Sequence, residues 1–366
     1  MKLLIERNQL TDAVNIVSKA IPFRTTSTIL KCFLIDASDE SIRITGNDNE
    51  LGIETHMEGT ILDHGSIAIQ ADVFSNIVRK LPEGVVSIVT DGEKVTIRCE
   101  QALFHILGMD PMEFPLLPEI PRERGIEISE FTLRNLITKT IFSISSNENN
   151  ILMTGELFEV KDNVLRMASL DGHRISIRRE ELKDPYDDIS VVIPGKTLSE
   201  VSKILSGSME NMAKIYITDR HVLFEFGNTI VVSRLIEGKY FDVDSMLSSE
   251  YKIKIRINRQ EMLSCLERSV LLVKEEDKKP IILIIEDDQA EFRINSALGS
   301  LKETISIEKE GEDLTIGFNP RFLIDALRAI DEDEINIYLV SQRAPAFIRD
   351  DEKYCYLVLP INFITI

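Results

Sequence analysis

Asp171, Gly172, His173 and Arg174 follow one another directly, and an Asp beside a His could move protons. Acid–base catalysis also needs a reacting group held within reach and an orienting partner. No G-x-S-x-G turn or similar nucleophile motif accompanies this pair. The same four residues suit a hairpin turn with Gly172 at a positive-φ position. A hydrolase built on His173 and Asp171 is therefore the weaker reading. Metal chemistry has no better footing. The five histidines are scattered, and Cys32, Cys99, Cys265 and Cys355 lie far apart without a C-x-x-C pair. We expect buried thiols, no metal centre and no cofactor.

The remaining chemistry is that of charge. The chain has 366 residues, 43% of them apolar and 28% charged. That is too long for one ordinary core and typical of a globular protein. No apolar run reaches the roughly 18–20 residues a membrane span needs. The opening MKLLIERNQL is interrupted by Glu6 and Arg7, so it does not read as a signal peptide and a cytoplasmic protein is expected. A net charge of −19 argues against nucleic acid unless the charges are unevenly placed.

Internal repeats decide where they are placed. IERNQLTDAV from Ile5, ISEFTLRNLI from Ile128 and INRQEMLSCL from Ile257 align without gaps, at offsets of 123 and 129. Each reads as a strand end entering an amphipathic helix, with Leu10, Leu133 and Met262 in register, then Val14, Ile137 and Leu266. A second set, from Ala71, Gly195 and Asn319, recurs at offsets of 124 and 124. Asp72 and Asn319 are candidate N-caps, and Pro320 suits a first helical turn. Between the helices, alternating β-branched runs such as SIRITG, KVTIRC, VLFEFG and YCYLVLP read as strands. The spacing predicts an α+β chain of three tandem domains, 1–124, 125–248 and 249–366. Each is a doubled helix-plus-strands unit, with joints near 115–126 and 242–250.

The predicted helical segments are 7–24, 72–80, 130–139, 196–204, 259–274 and 320–328. Together they hold fourteen basic and seven acidic residues, a net +7, so the rest of the chain carries −26. All six are net positive. A locally basic surface attracts phosphate without reading sequence, and an acidic remainder keeps DNA off the other faces. Repeats alone also fit a scaffold that binds only proteins.

With these residues in place, the chain resembles the bacterial DNA polymerase III beta subunit family, the replicative sliding clamps. The matching motifs are MKLLIERNQL, LPEG at 81–84, EFP at 113–115, GELFE at 155–159, SLDGHRISI at 169–177, VVIPGK at 191–196, IGFNPRFLIDAL at 316–327 and LVLPI at 357–361. They run in order along the whole chain. The resemblance implies a non-enzymatic processivity factor, a head-to-tail homodimer closed as a ring of six domains around double-stranded DNA. Twelve helices would line its hole. It implies Phe104 and Ile106 at one end of the protomer and Leu271 and Leu272 at the other, forming the dimer interface.

The resemblance further implies a cleft that takes short apolar motifs from the polymerase and the clamp loader. Its counterparts here are Met153, Leu170, Gly172, His173, Arg174 and Ile175, with Asn319, Phe322, Val358, Leu359, Pro360 and Ile361, and with Phe241 and Met246 at the joint. Arg24 and Lys196 correspond to DNA contacts, Arg79 less directly, and the loop bearing Asn147 and Asn149 to one that approaches DNA. The chain departs from its relatives at Tyr240-Phe241-Asp242-Val243, where many carry F-P-D-Y, and at Ser245, which replaces an Arg.

Overall fold

The computed structural model describes residues 1–147, 149–248, 250–273, 279–350 and 352–363. Its helices are α1 (Arg7–Val17), α2 (Ala71–Lys80), α3 (Glu130–Thr138), α4 (Gly195–Ile204), α5 (Val243–Met246), α6 (Arg259–Val270) and α7 (Pro320–Arg328). All six predicted helical segments are present, and α5 adds a single turn at the second joint. Three ends differ from expectation, and one is that of α6, which stops at Val270 inside the predicted segment 259–274. α1 stops at Val17 and continues only as a 3-10 turn, Ser18–Ala20, because Ile21-Pro22 cannot extend an α-helix. Asp72 lies inside the first turn of α2 rather than before it, and its carboxylate accepts from the Val73 amide. Asn319 does cap α7, accepting from Arg321 N at 3.1 Å with Pro320 at the first helical position. Asn258 caps α6 in the same way, accepting from Glu261 N.

One half-unit recurs six times. A lead strand enters a helix, and a three-strand antiparallel meander follows. The two halves of each repeat interlock: the lead strand of each half pairs with the first meander strand of the other, as in Lys2–Glu6 with Val85–Asp91 and Gly65–Gln70 with Cys32–Ala37. Each helix turns its apolar stripe inward, Leu10, Ala13, Val14 and Val17 for α1 and Met262, Leu263, Cys265 and Leu266 for α6. All four cysteines are buried thiols, as expected.

The last strand of each meander makes the connections between repeats. These closing strands are Leu51–Met57, Ala102–Met109, Arg174–Glu181, Thr229–Arg234, Gly299–Gly311 and Tyr354–Val358. Four of them join neighbouring repeats. Thr229–Arg234 pairs antiparallel with Leu51–Met57, and Arg174–Glu181 pairs with Tyr354–Val358. The result is one 13-stranded and one 12-stranded sheet.

The packing units therefore differ from the sequence repeats. One unit comprises residues 1–133 and 200–235, the other residues 134–199 and 236–366. The second repeat contributes one half to each sheet, because backbone pairing across a seam is as continuous as pairing within a repeat. Among the described residues, no helix is long and apolar enough to cross a membrane.

Candidate functional site

The Asp171–Arg174 turn is built from its own backbone. Asp171 Oδ1 accepts from His173 N at 2.9 Å and Arg174 N at 3.1 Å, and Gly172 takes φ +85 with open space where a side chain would stand. Asp171 Oδ2 accepts from Arg174 Nε at 3.0 Å. The carboxylate therefore serves the turn and Arg174, and the His173 ring packs on α7, stacked on Phe322 at 6.1 Å.

Arg174 is the hub of this region. Its Nη1 donates to Asp325 Oδ2 on α7 at 2.6 Å and its Nη2 to the Phe142 carbonyl. Its guanidinium lies 4.4 Å from the Phe322 ring centroid and 5.5 Å from that of Phe142. Phe322 and Phe142 in turn pack on the core that contains Val358. Leu359 N donates to His173 O at 2.8 Å and Ile361 N to Gly317 O at 2.8 Å, which leads the Leu359-Pro360-Ile361 segment away from the seam. Leu359 is exposed, and Pro360 and Ile361 are half-buried.

A second apolar group lies on the other face of the same seam. Leu170, Ile175, Leu357 and Tyr240 are buried together, with Met153, Phe241 and Leu247 packed against them. Met246 is exposed beside this group. The joint is pinned by polar contacts that the sequence alone does not reveal. Asp242 caps α5 by accepting from Ser245 N, and the Ser245 hydroxyl donates to Asp242 O at 2.7 Å. Arg166 Nη1 donates to Asp244 Oδ1 at 2.6 Å, and this bond holds the Asp244 carboxyl below its ordinary range. In the stretch 240–245, then, Asp242 and Ser245 close a one-turn helix.

The basic residues divide into two kinds. Arg7 bonds Glu83, Lys139 bonds Asp331, Lys203 bonds Glu200, Arg268 bonds Glu303 and Arg328 bonds Glu267. These pairs spend part of the positive charge expected of the helices. Arg24, Arg79, Lys80 and Arg134 have no acidic partner among the described residues. Arg79 is held by neutral Asn15, Nε and Nη2 to Oδ1 at 3.2 and 3.0 Å, so its charge stays available. Arg24 is exposed beside Phe23, itself 95% exposed.

Lys196 is exposed at the start of α4. The helix can begin there because Gly195 carries no side chain: a Cβ would stand 2.8 Å from Thr154 O and 2.3 Å from Ile144 Cδ1. Asn147 Oδ1 accepts from Asn149 N at 3.0 Å, which shapes their loop. Glu148, in the same loop, and Lys274, at the end of the segment 259–274, lie outside the described residues.

Two closing strands keep an open edge. Ala102–Met109 pairs along one side with Lys94–Cys99, but on the other meets Gly65–Gln70 only at Gly108 and Met109. Gly299–Gly311 pairs with Gln289–Ser296 along one side, and with Ile253–Asn258 only from Ile307 onward. Residues 102–107 and 299–306 thus present unpaired backbone among the described residues. Phe104 and Ile106 are half-buried, whereas Leu103 and Leu107 are exposed, Leu107 at 73%. Leu271 is 77% exposed just beyond α6, and Leu272 is half-buried with Cδ2 3.7 Å from where a Cβ on Gly299 would stand.

The sequence matches the DNA polymerase III beta subunit in three stretches: its N-terminal domain over 1–118, its central domain over 127–242 and its C-terminal domain over 244–362. The beta sliding clamp of Bacillus subtilis is 36% identical, over 99% of this chain and 100% of that one. The chain belongs to the DNA polymerase III beta subunit family. It is a sliding clamp in function, a processivity factor for DNA polymerase. The beta sliding clamp of Staphylococcus epidermidis is 34% identical over 99% of each chain. Among solved structures, a putative DNA polymerase III beta subunit from Eubacterium rectale is 56% identical with a TM-score of 0.97, covering 99% of this chain and 100% of that one. The DNA polymerase sliding clamp from Bacillus subtilis is 35% identical with a TM-score of 0.96, covering 100% of each.

Proposed function

We propose that two copies of this chain close head to tail into a ring around double-stranded DNA, each copy holding polymerase or clamp loader through one apolar cleft. The observation that carries this reading is the pair of open strand edges. Within the chain, the closing strand of one repeat's first half pairs with the closing strand of the next repeat's second half. This is so for Leu51–Met57 with Thr229–Arg234 and for Arg174–Glu181 with Tyr354–Val358. The two closing strands left over are the first half's in repeat three, Gly299–Gly311, and the second half's in repeat one, Ala102–Met109. The same rule joins them, but only between two copies. An exposed edge invites pairing with another chain, and a head-to-tail contact that closes gives a ring. Leu107, Phe104 and Ile106 of one copy would meet Leu271 and Leu272 of the other.

The cleft is the end of the seam between repeats two and three. Met153, Leu170, Ile175, Phe241 and Met246 supply apolar surface. His173, Arg174, Phe322, Asn319, Gly172 and the segment Val358–Ile361 supply its shape and polar groups, as a short-peptide site requires. Arg24, Arg79 and Lys196, with Asn147 and Asn149, would touch the phosphate backbone without reading sequence. Binding to DNA can then stay weak, because a closed ring leaves DNA only at an end. The protein is non-catalytic and works in the cytoplasm at the nucleoid, and its domains are 1–124, 125–248 and 249–366.

Light scattering at micromolar concentration tests ring closure. The expected mass is twice that of the chain, and a stable monomer would favour a scaffold that binds only proteins.

A further inference from the structure

Glu156 lies on the strand Gly155–Lys161 with none of its surface exposed, and neither carboxylate oxygen has a hydrogen-bond partner among the described residues. An ionised carboxylate in that position has nothing to replace its lost water, so the neutral acid is the stable form. Burial pushes its pKa up to about 8.

Among the described residues, no cationic side chain acts on it. The Thr140 hydroxyl, just beyond α3, faces it but donates to Leu136 O at 2.6 Å. Ser169, on the neighbouring strand Val164–Leu170, donates to Thr140 O. Ile193 pairs with Glu156 from the strand Ile189–Pro194. The titratable group that feels its charge is Tyr240, from the joint.

Tyr240 is buried as well, and its hydroxyl also lacks a partner among the described residues. Burial first, and then the charge Glu156 would carry, drive the phenol far above its ordinary range; the Leu170 backbone lies against it. The Tyr240 ring packs with Leu170 and Ile175, and meets Phe241 edge-on at 5.5 Å. Tyr240 therefore lies near Glu156 and packs in the apolar group that would floor the cleft.

We infer that Glu156 is a positioning residue of the peptide cleft: its neutral acid lets Tyr240 seat residues 240–247 on the cleft floor, and loss of its proton to solvent unseats them. The inference rests on the cleft reading above. Peptide capture is then favoured at and below neutral pH and weakens above it.

The chain has no Trp, so Phe241→Trp provides a single emission reporter at the joint. In full-length protein carrying it, emission is followed from pH 6 to pH 9.5 with Glu156 intact and with Glu156→Gln. The expected result is a transition centred near pH 8 that the Gln variant lacks. A labelled ten-residue leucine-rich probe peptide is titrated separately into full-length protein that keeps Phe241, with Glu156 intact and with Glu156→Gln. If the ionised form does not bind, Kd rises about tenfold between pH 7 and pH 9 with Glu156, and less than twofold with Gln. Glu156→Leu serves as the second variant if Gln does not fold. Matching pH profiles in the two proteins, with the peptide bound, would overturn this inference alone. Failure of the peptide to bind at any pH would overturn the cleft reading and this inference with it.

Discussion

Arg174 bonds Asp325 across 151 residues of chain, Nη1 to Oδ2 at 2.6 Å. This contact ties the hairpin of the second repeat to α7 of the third, and the same guanidinium is stacked on Phe322. The residues proposed for the cleft thus come from distant parts of the sequence, and Arg174 ties several of them together. Arg174→Ala removes the contacts to Asp171, Asp325 and Phe142 together. It should cost about 2–4 kcal/mol in urea unfolding, since the pair is mostly buried, and should weaken peptide binding at least tenfold. Arg174→Lys keeps the charge without the planar fork and should fall between. Unchanged peptide affinity in the Ala variant would remove Arg174 from the site.

The open edges predict the outcome of introducing charge there. Leu107→Asp or Leu271→Asp places a carboxylate where the closed ring would bury apolar surface. Each is exposed in the single chain, so folding and thermal stability of the protomer should change little. The sedimenting species should shift from dimer to monomer. A dimer that survives both substitutions would place the interface elsewhere.

Arg24→Ala combined with Lys196→Ala should reduce retention on DNA and leave the dimer intact. Removing one cation from the phosphate backbone lowers the slope of log affinity against log salt by about one, so the double variant should lose about two. A slope equal to the parent's would show that these residues do not meet phosphate.

Glu156 also predicts how stability varies with pH. Its pKa is raised from 4.5 to about 8 by burial, so over that interval the folded protein holds a proton that the unfolded chain has released. Stability should fall as pH rises from about 4.5 to about 8, by up to roughly 1.4 kcal/mol per pH unit, and then level off. Glu156→Gln should remove this dependence, stabilising the protein at pH 8 and changing little below pH 4.5. Chemical denaturation at a series of pH values measures it. A Gln variant with the parent's pH slope would show that Glu156 is ionised in the fold.

The repeat was legible because the apolar register of each helix must fit the same half-unit: Leu10, Leu133 and Met262 all point into a core. The Asp171–Arg174 turn was legible from its residue types. Other features depend on residues distant in sequence. Nothing local to Arg166 predicts its bond to Asp244, and nothing local to Arg174 predicts Asp325. Nor does composition show that at least six of the helical basic residues, Lys19 included, are spent on acids nearby in space. The open strand edges follow from the pairing rule of the seams, which joins strands more than a hundred residues apart. Glu156 left the clearest missed signal, a carboxylate amid the apolar run GELFEV, whose strand is buried on both faces.

Retention on circular and linear DNA tests the central claim most directly. The protein is loaded onto a nicked circular duplex and its dissociation followed before and after a single cut that makes the circle linear. A closed ring stays on the circle and is lost quickly once an end exists. Equal loss before and after the cut would contradict encirclement and leave a protein that only adheres to DNA.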